Sequence, residues 1–130
     1  TNTCAAGETY NLTNGEVFSW RDMWPAIAQT LDVPLGKDEP LSVAEYILQR
    51  EDLWQVIVAR HDLVPNTLEQ IVGESHHYAD LCFAVGANDA PPPIFVSAVK
   101  IHQAGFNQTY NSEESFCHWL RDLRSRRIIP

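Results

Sequence analysis

The sequence predicts a mainly α-helical fold with a short β-strand near the N-terminus, and three observations carry that prediction. Apolar residues recur at helical spacing over most of the chain. Ser19, Ser42 and Thr67 stand just before three of those runs, where a hydroxyl can accept from an otherwise orphan N–H. Residues 9–12 (Thr-Tyr-Asn-Leu) are rich in β-formers and are followed closely by a turn signal.

The elements follow in order. Residues 9–12 are the expected strand. Asn14-Gly15 then turns the chain, because both residues accept a positive φ at little cost. Ser19 with Asp22 is an S-x-x-D helix start. Trp20, Met23, Trp24, Ile27, Ala28 and Leu31 fall at i, i+3, i+4, i+7, i+8 and i+11, one wide apolar stripe. Pro25 interrupts it, removes one hydrogen bond and predicts a kink. Pro34, Gly36 and Pro40 break the loop that follows. Ser42 caps the next helix with Glu45 three places on, and Val43, Tyr46 and Ile47 are its inner positions. Leu53, Trp54, Ile57 and Val58 mark a run over 51–62 that either continues that helix or forms a second one.

Thr67 caps a helix expected to run to Gly86, with Leu68, Ile71, Val72, Ser75, Tyr78, Ala79 and Cys82 at helical spacing. Pro91, Pro92 and Pro93 stiffen the loop beyond it towards polyproline II. A short helix is expected over 97–104, stopped by Gly105. The last helix starts near Asn111 or Ser112 with Glu113 and Glu114 in its first turn, and buries Phe116, Trp119, Leu120 and Leu123. Its closing arginines, Arg121, Arg124, Arg126 and Arg127, favour the negative end of the helix dipole.

At 130 residues the chain is expected to form one domain over its whole length, 1–130. A net charge of −8 argues against nucleic acid and anionic membrane as partners, since both repel an acidic surface. Cys4, Cys82 and Cys117 form no C-x-x-C, which suits a reducing, cytoplasmic setting. No apolar run approaches the ~20 residues that span a bilayer. The chain opens on Thr1, and its strand needs partners it barely supplies, so a piece of a longer or processed protein is expected.

The chemistry-bearing patterns are thin. Neither G-x-G-x-x-G nor G-x-x-x-x-G-K-[ST] occurs, so the chain by itself makes neither glycine-rich phosphate cradle. No Tyr-x-x-x-Lys occurs, and Lys37 and Lys100 are the two lysines. His76-His77, flanked by Glu74 and Asp80, is the most metal-like group. Adjacent helical residues diverge by about 100°, however, and His76 with Asp80 gives two ligands where a site needs more. Ser97-Ala98-Val99-Lys100 spells the S-x-x-K of serine acyl enzymes without its companion motifs. Cys117 beside His118 fails as a nucleophile pair, because neighbours on a helix face apart.

Read in order, the chain gives Tyr10-Asn11-x-Thr13-Asn14-Gly15-Glu16-Val17-Phe18-x-Trp20-x-x-x-Trp24, then Pro40-Leu41-Ser42 and Tyr78-Ala79-Asp80. Ser97-x-x-Lys100, Ala104-Gly105-Phe106, Glu114-Ser115-Phe116 and Arg127-Ile128-Ile129-Pro130 follow. This wording resembles the C-terminal part of the progesterone 5β-reductase/iridoid synthase-like family of extended short-chain dehydrogenases/reductases. The resemblance covers essentially the whole chain, and N-G-[DE]-V-F-x-W with the closing I-I-P is its most specific part.

The resemblance implies a helical substrate lobe of an α/β Rossmann-type reductase, here without its cofactor domain. Family members add hydride across the C=C of an α,β-unsaturated carbonyl, with a Tyr and a Lys at the carbonyl oxygen. It therefore implies NADP or NAD in the full-length protein, no cofactor bound by this chain alone, and a small hydrophobic carbonyl substrate. Tyr78 matches a position where the family places a substrate-facing aromatic residue, often Phe, and His77 and Phe83 are its expected neighbours in the pocket. Ordinary core packing is the competing reading of Tyr78. No catalytic residue is expected in this chain, which alone should be inactive. Two other readings stand beside it. One is a free-standing helical binding module that dimerises or takes a partner through the face a missing domain would cover. The other is the lobe of an extended-type epimerase or dehydratase.

Overall fold

The computed structural model describes residues 5–89 and 92–130, and among these it has seven helices. Cys4 and the first residue of the proline run, Pro91, lie outside the described residues. The chain falls into two compact units, one of Thr1–Val33 with Pro93–Leu120 and one of Pro34–Pro92 with Arg121–Pro130.

The first unit contains α1 (Trp20–Leu31), α6 (Val99–Gln103) and most of α7 (Ser112–Ser125). Ser19 starts α1 as its residue type requires. Its Oγ accepts from the Asp22 N–H at 3.2 Å and donates to the Asp22 carboxylate at 2.7 Å. Asp32 ends the helix in the left-handed conformation. Of the apolar stripe, Met23 (3% exposed), Ile27 and Ala28 are buried, which contributes about 1.5–3 kcal/mol for a side chain the size of Met23. Cys117 of α7 is buried with them, its Sγ 3.7 Å from the Ala26 carbonyl. Phe18, Trp20 and Phe116 meet edge to face with ring centroids 5.7–6.1 Å apart.

Asn111 caps α7, its Oδ1 accepting from the Glu114 N–H at 2.8 Å. The face that α7 buries differs from the expected one. Ser112 and Cys117 are inside, while Trp119 is 60% exposed and Phe116 sits at the surface edge. The start of α7 is held from a distance. Glu16 accepts from the Ser112 N–H at 2.6 Å, and Asn14 bonds the Tyr110 N–H at 2.8 Å, the Tyr110 carbonyl and the Ser112 hydroxyl. Gly15, at φ 74°, turns the chain between those two side chains.

The expected strand over 9–12 does not form, and no strand occurs among the described residues. A strand requires a neighbour to exchange N–H and C=O bonds. Here the stretch is tied by a side chain instead. Lys100 Nζ donates to Glu8 at 2.6 Å and to the Thr9 carbonyl at 3.0 Å, and lies 5.0 Å from the centre of the Tyr10 ring. The fold class is mainly α in consequence.

The second unit holds α2 (Val43–Leu48), α3 (Glu51–His61), α4 (Leu68–Val72) and α5 (Ser75–Cys82). The run over 43–61 is thus two helices. Trp54, Val58, Leu63 and Leu68 are its buried core, with Ile47, Ile57, Ile71 and Val72 packed around them. Trp54 also satisfies its indole N–H on the Asn66 carbonyl at 2.8 Å. Thr67 and Gln70 form a reciprocal capping box at the start of α4, and Glu51 accepts from the Leu68 N–H at 2.8 Å. At the other end of the chain, Arg127 pairs with Asp62, and its carbonyl takes the Val64 N–H at 2.8 Å.

The helix expected from Thr67 to Gly86 is broken in two. Gly73 has φ 48° and ψ −128°, a conformation that ends α4 and that a side chain rarely adopts. α5 then stops at Cys82, with Ala84 (φ 52°) and Gly86 (φ 77°) in left-handed turns beyond it.

Candidate functional site

The break at Gly73 resets the rotation of α5, and that decides which side chains it shows. After Glu74, Ser75 Oγ donates to the Val72 carbonyl at 2.5 Å and the helix begins. His76 turns inward and is 6% exposed, with its Nδ1 buried and lacking a hydrogen-bond partner among the described residues. Its ring lies 4.0 Å from that of His77, which is exposed and 3.8 Å from Glu74. Tyr78, about 200° round the helix from His76, is 66% exposed. Leu81 is 74% exposed, and Cys82 is exposed beside it. Phe83, the C-cap, is also at the surface. The polarity of α5 is therefore inverted, with a histidine inside and an apolar stripe outside. Core packing does not describe Tyr78.

Asp80 is half-buried on the inner side. Its Oδ2 accepts from Ser42 Oγ at 2.6 Å, and its Oδ1 accepts from the Val43 N–H at 2.6 Å and the Ala44 N–H at 3.4 Å. The Ser42 hydroxyl foremost, and those backbone N–H groups, hold its carboxyl below the usual range. This capping of α2 from another helix is a role the sequence did not announce. The one signal was the shared face of His76 and Asp80, which there suggested a metal. Among the described residues no group of three or more His, Cys, Asp or Glu side chains is placed to hold an ion.

The other sequence candidates are not assembled as reactive pairs. Lys100 is engaged by Glu8 and Thr9, and Ser97 Oγ takes the Val99 N–H at 3.4 Å. Cys117 points to Ala26, whereas the His118 ring lies 5.2 Å from that of Trp119. In the first unit an open groove of about 210 Å³ is lined by Leu12, Thr13, Asn14, Phe106, Gln108 and Tyr110, none of them a predicted site residue. No described helix is long and apolar enough to cross a membrane.

No family profile matches the chain. Curated proteins do. An (S)-8-oxocitronellyl enol synthase of Camptotheca acuminata is 30% identical over 97% of this chain and 31% of its own length. That of Catharanthus roseus is 28% identical over the same shares, and a 3-oxo-Δ4,5-steroid 5β-reductase of Arabidopsis thaliana is 23% identical, again over 97% and 31%. The chain belongs to the progesterone 5β-reductase/iridoid synthase-like family. It spans about a third of the length of the curated relatives it matches. The sequence contains neither G-x-G-x-x-G nor G-x-x-x-x-G-K-[ST].

Proposed function

We propose that this chain is the C-terminal, substrate-side lobe of an NAD(P)H-dependent reductase for small hydrophobic α,β-unsaturated carbonyl compounds. The inverted polarity of α5 carries the reading. An apolar helix face turned to water is unfavourable by about 25 cal/mol per Å², and such faces mark ligand or interaction sites. Tyr78 and Phe83 supply apolar surface for a hydrophobic substrate. The Tyr78 hydroxyl and His77 can hydrogen-bond a polar group on it. Cofactor and carbonyl-polarising groups belong to the rest of the longer protein, and no step of the reduction is assigned to residues of this chain. Free Cys82 and Cys117 suit a reducing, cytoplasmic setting.

The test is direct. The 130-residue chain mixed with NADPH and a 3-oxo-Δ4-steroid such as progesterone oxidises no NADPH, and measurable oxidation by the pure chain overturns the reading. One observation favours a second reading, a free-standing interaction module. Ile94 is 87% exposed, and Phe95 and Val96 beside it are exposed too. That reading expects a dimer by sedimentation that Ile94→Asp dissociates. The lobe reading expects a monomer.

A further inference from the structure

We propose that Asp80, acting with Ser42, is the positioning residue of the α5 face, fixing the rotation of α5 on α2 so that Tyr78 and His77 point to the substrate. The inference rests on the pocket reading above. A surface helix ordinarily takes its rotation from its buried apolar stripe. α5 has no such anchor, because Tyr78, Leu81 and Cys82 face outward. What it turns inward is His76, whose Nδ1 has no hydrogen-bond partner among the described residues. Directional bonds take over the task. α5 packs on α2, and there the Asp80 carboxylate receives Ser42 Oγ and the Val43 N–H at 2.6 Å each, with the Ala44 N–H at 3.4 Å. Three donors on two oxygens fix both the position and the direction of the carboxylate. Asp80 is about 200° round the helix from Tyr78, so holding the one inward holds the other outward. An amide at this position offers one acceptor oxygen and turns an NH2 group towards donors.

The experiment compares the chain with Asp80→Asn, Asp80→Glu and Ser42→Ala by amide NMR at neutral pH, with and without progesterone. In Asp80→Asn the signals of Val43 and Ala44 move together with those of His77, Tyr78 and Phe83, while Met23 and Cys117 stay put. Exchange of the Val43 N–H quickens about tenfold, as expected for loss of a charge-assisted bond. Ser42→Ala moves the same signals in the same direction by less. Asp80→Glu, which keeps both acceptor oxygens, returns Tyr78 towards its wild-type signal. A response confined to residues 42–44 and 80 overturns the proposal. Should Asp80→Asn unfold the chain, Ser42→Ala decides by the same criterion. In the wild-type chain progesterone shifts Tyr78 and His77, and Asp80→Asn weakens that binding about fivefold, within the range for a displaced contact group. Coupled movement with no progesterone response in the wild type overturns the pocket reading and leaves the positioning role standing. Where the wild type does bind progesterone, equally tight binding by Asp80→Asn overturns the positioning role.

Discussion

In the first unit Glu16 and Asn14 reach the start of α7, and in the second Asp80 reaches the start of α2. The chemistry is the same, a side chain distant in sequence satisfying N–H groups that a helix start leaves open. What stands behind it differs. α7 also buries Ser112 and Cys117 and joins the cluster of Phe18, Trp20 and Phe116. α2 has no fully buried residue and meets its unit's core through the half-buried Ile47. The clasp is thus a supplement to extensive packing in one place and a larger share of the attachment in the other. An acidic chain uses its carboxylates here to tie helices together, and their density need not signal a metal or a reaction.

The comparison can be broken most forcefully at the cores. Trp54→Ala should cost about 3–5 kcal/mol by denaturant unfolding, because it removes the largest buried ring of the second unit and one of the two donors, with Gln55, on the Asn66 carbonyl. Met23→Ala should cost about 2–5 kcal/mol, as expected for the most buried apolar side chain of the first unit. A smaller Trp54 effect than Met23 effect would contradict the ranking of the two cores. Gly73→Ala comes next, at about 1–3 kcal/mol. A Cβ meets open space there, so the cost is backbone strain alone. A stabilised Gly73→Ala chain would mean that α4 and α5 are one helix after all. Thr67→Ala should cost about 1 kcal/mol through its capping box, read from the same unfolding curves.

The smallest effect near neutrality is that of pH. The Ser112 N–H holds the Glu16 carboxyl low, and the Ser42 hydroxyl does the same for Asp80. A folded-state pKa below the unfolded one contributes stability that is complete above the unfolded value. That contribution is lost as pH falls through the folded value. Both clasps should therefore be intact at neutral pH and open only below about pH 4. The Val43 and Ser112 amide signals report this. In the chain carrying Asp80→Asn the Val43 step should vanish while the Ser112 step stays.

The local parts of this fold were legible in the sequence. Ser19, Ser42, Thr67 and Asn111 cap the helices their positions suggested, because a cap is decided within four residues. α1 follows its apolar stripe. Periodicity misled at Gly73, where an unbroken apolar register hid a backbone turn that only the glycine itself betrayed. The strand over 9–12 failed because β-propensity cannot supply a partner. The site was legible in part. Tyr78, His77 and Phe83 lie on or at the end of one helix, as their numbers require. The burial of His76 and the reach of Asp80 to Ser42 depend on how α5 rotates and on a pairing 38 residues apart. No local pattern encodes either.

The central claim is that α5 presents a substrate face. It is tested most directly by placing this chain where the matching third of the Catharanthus roseus enol synthase stands and measuring the steady-state constants of the hybrid with NADPH. The account predicts a working hybrid in which Tyr78→Ala raises KM about tenfold and changes kcat less, the mark of lost substrate binding. A working hybrid whose KM and kcat are both unmoved by Tyr78→Ala would contradict it.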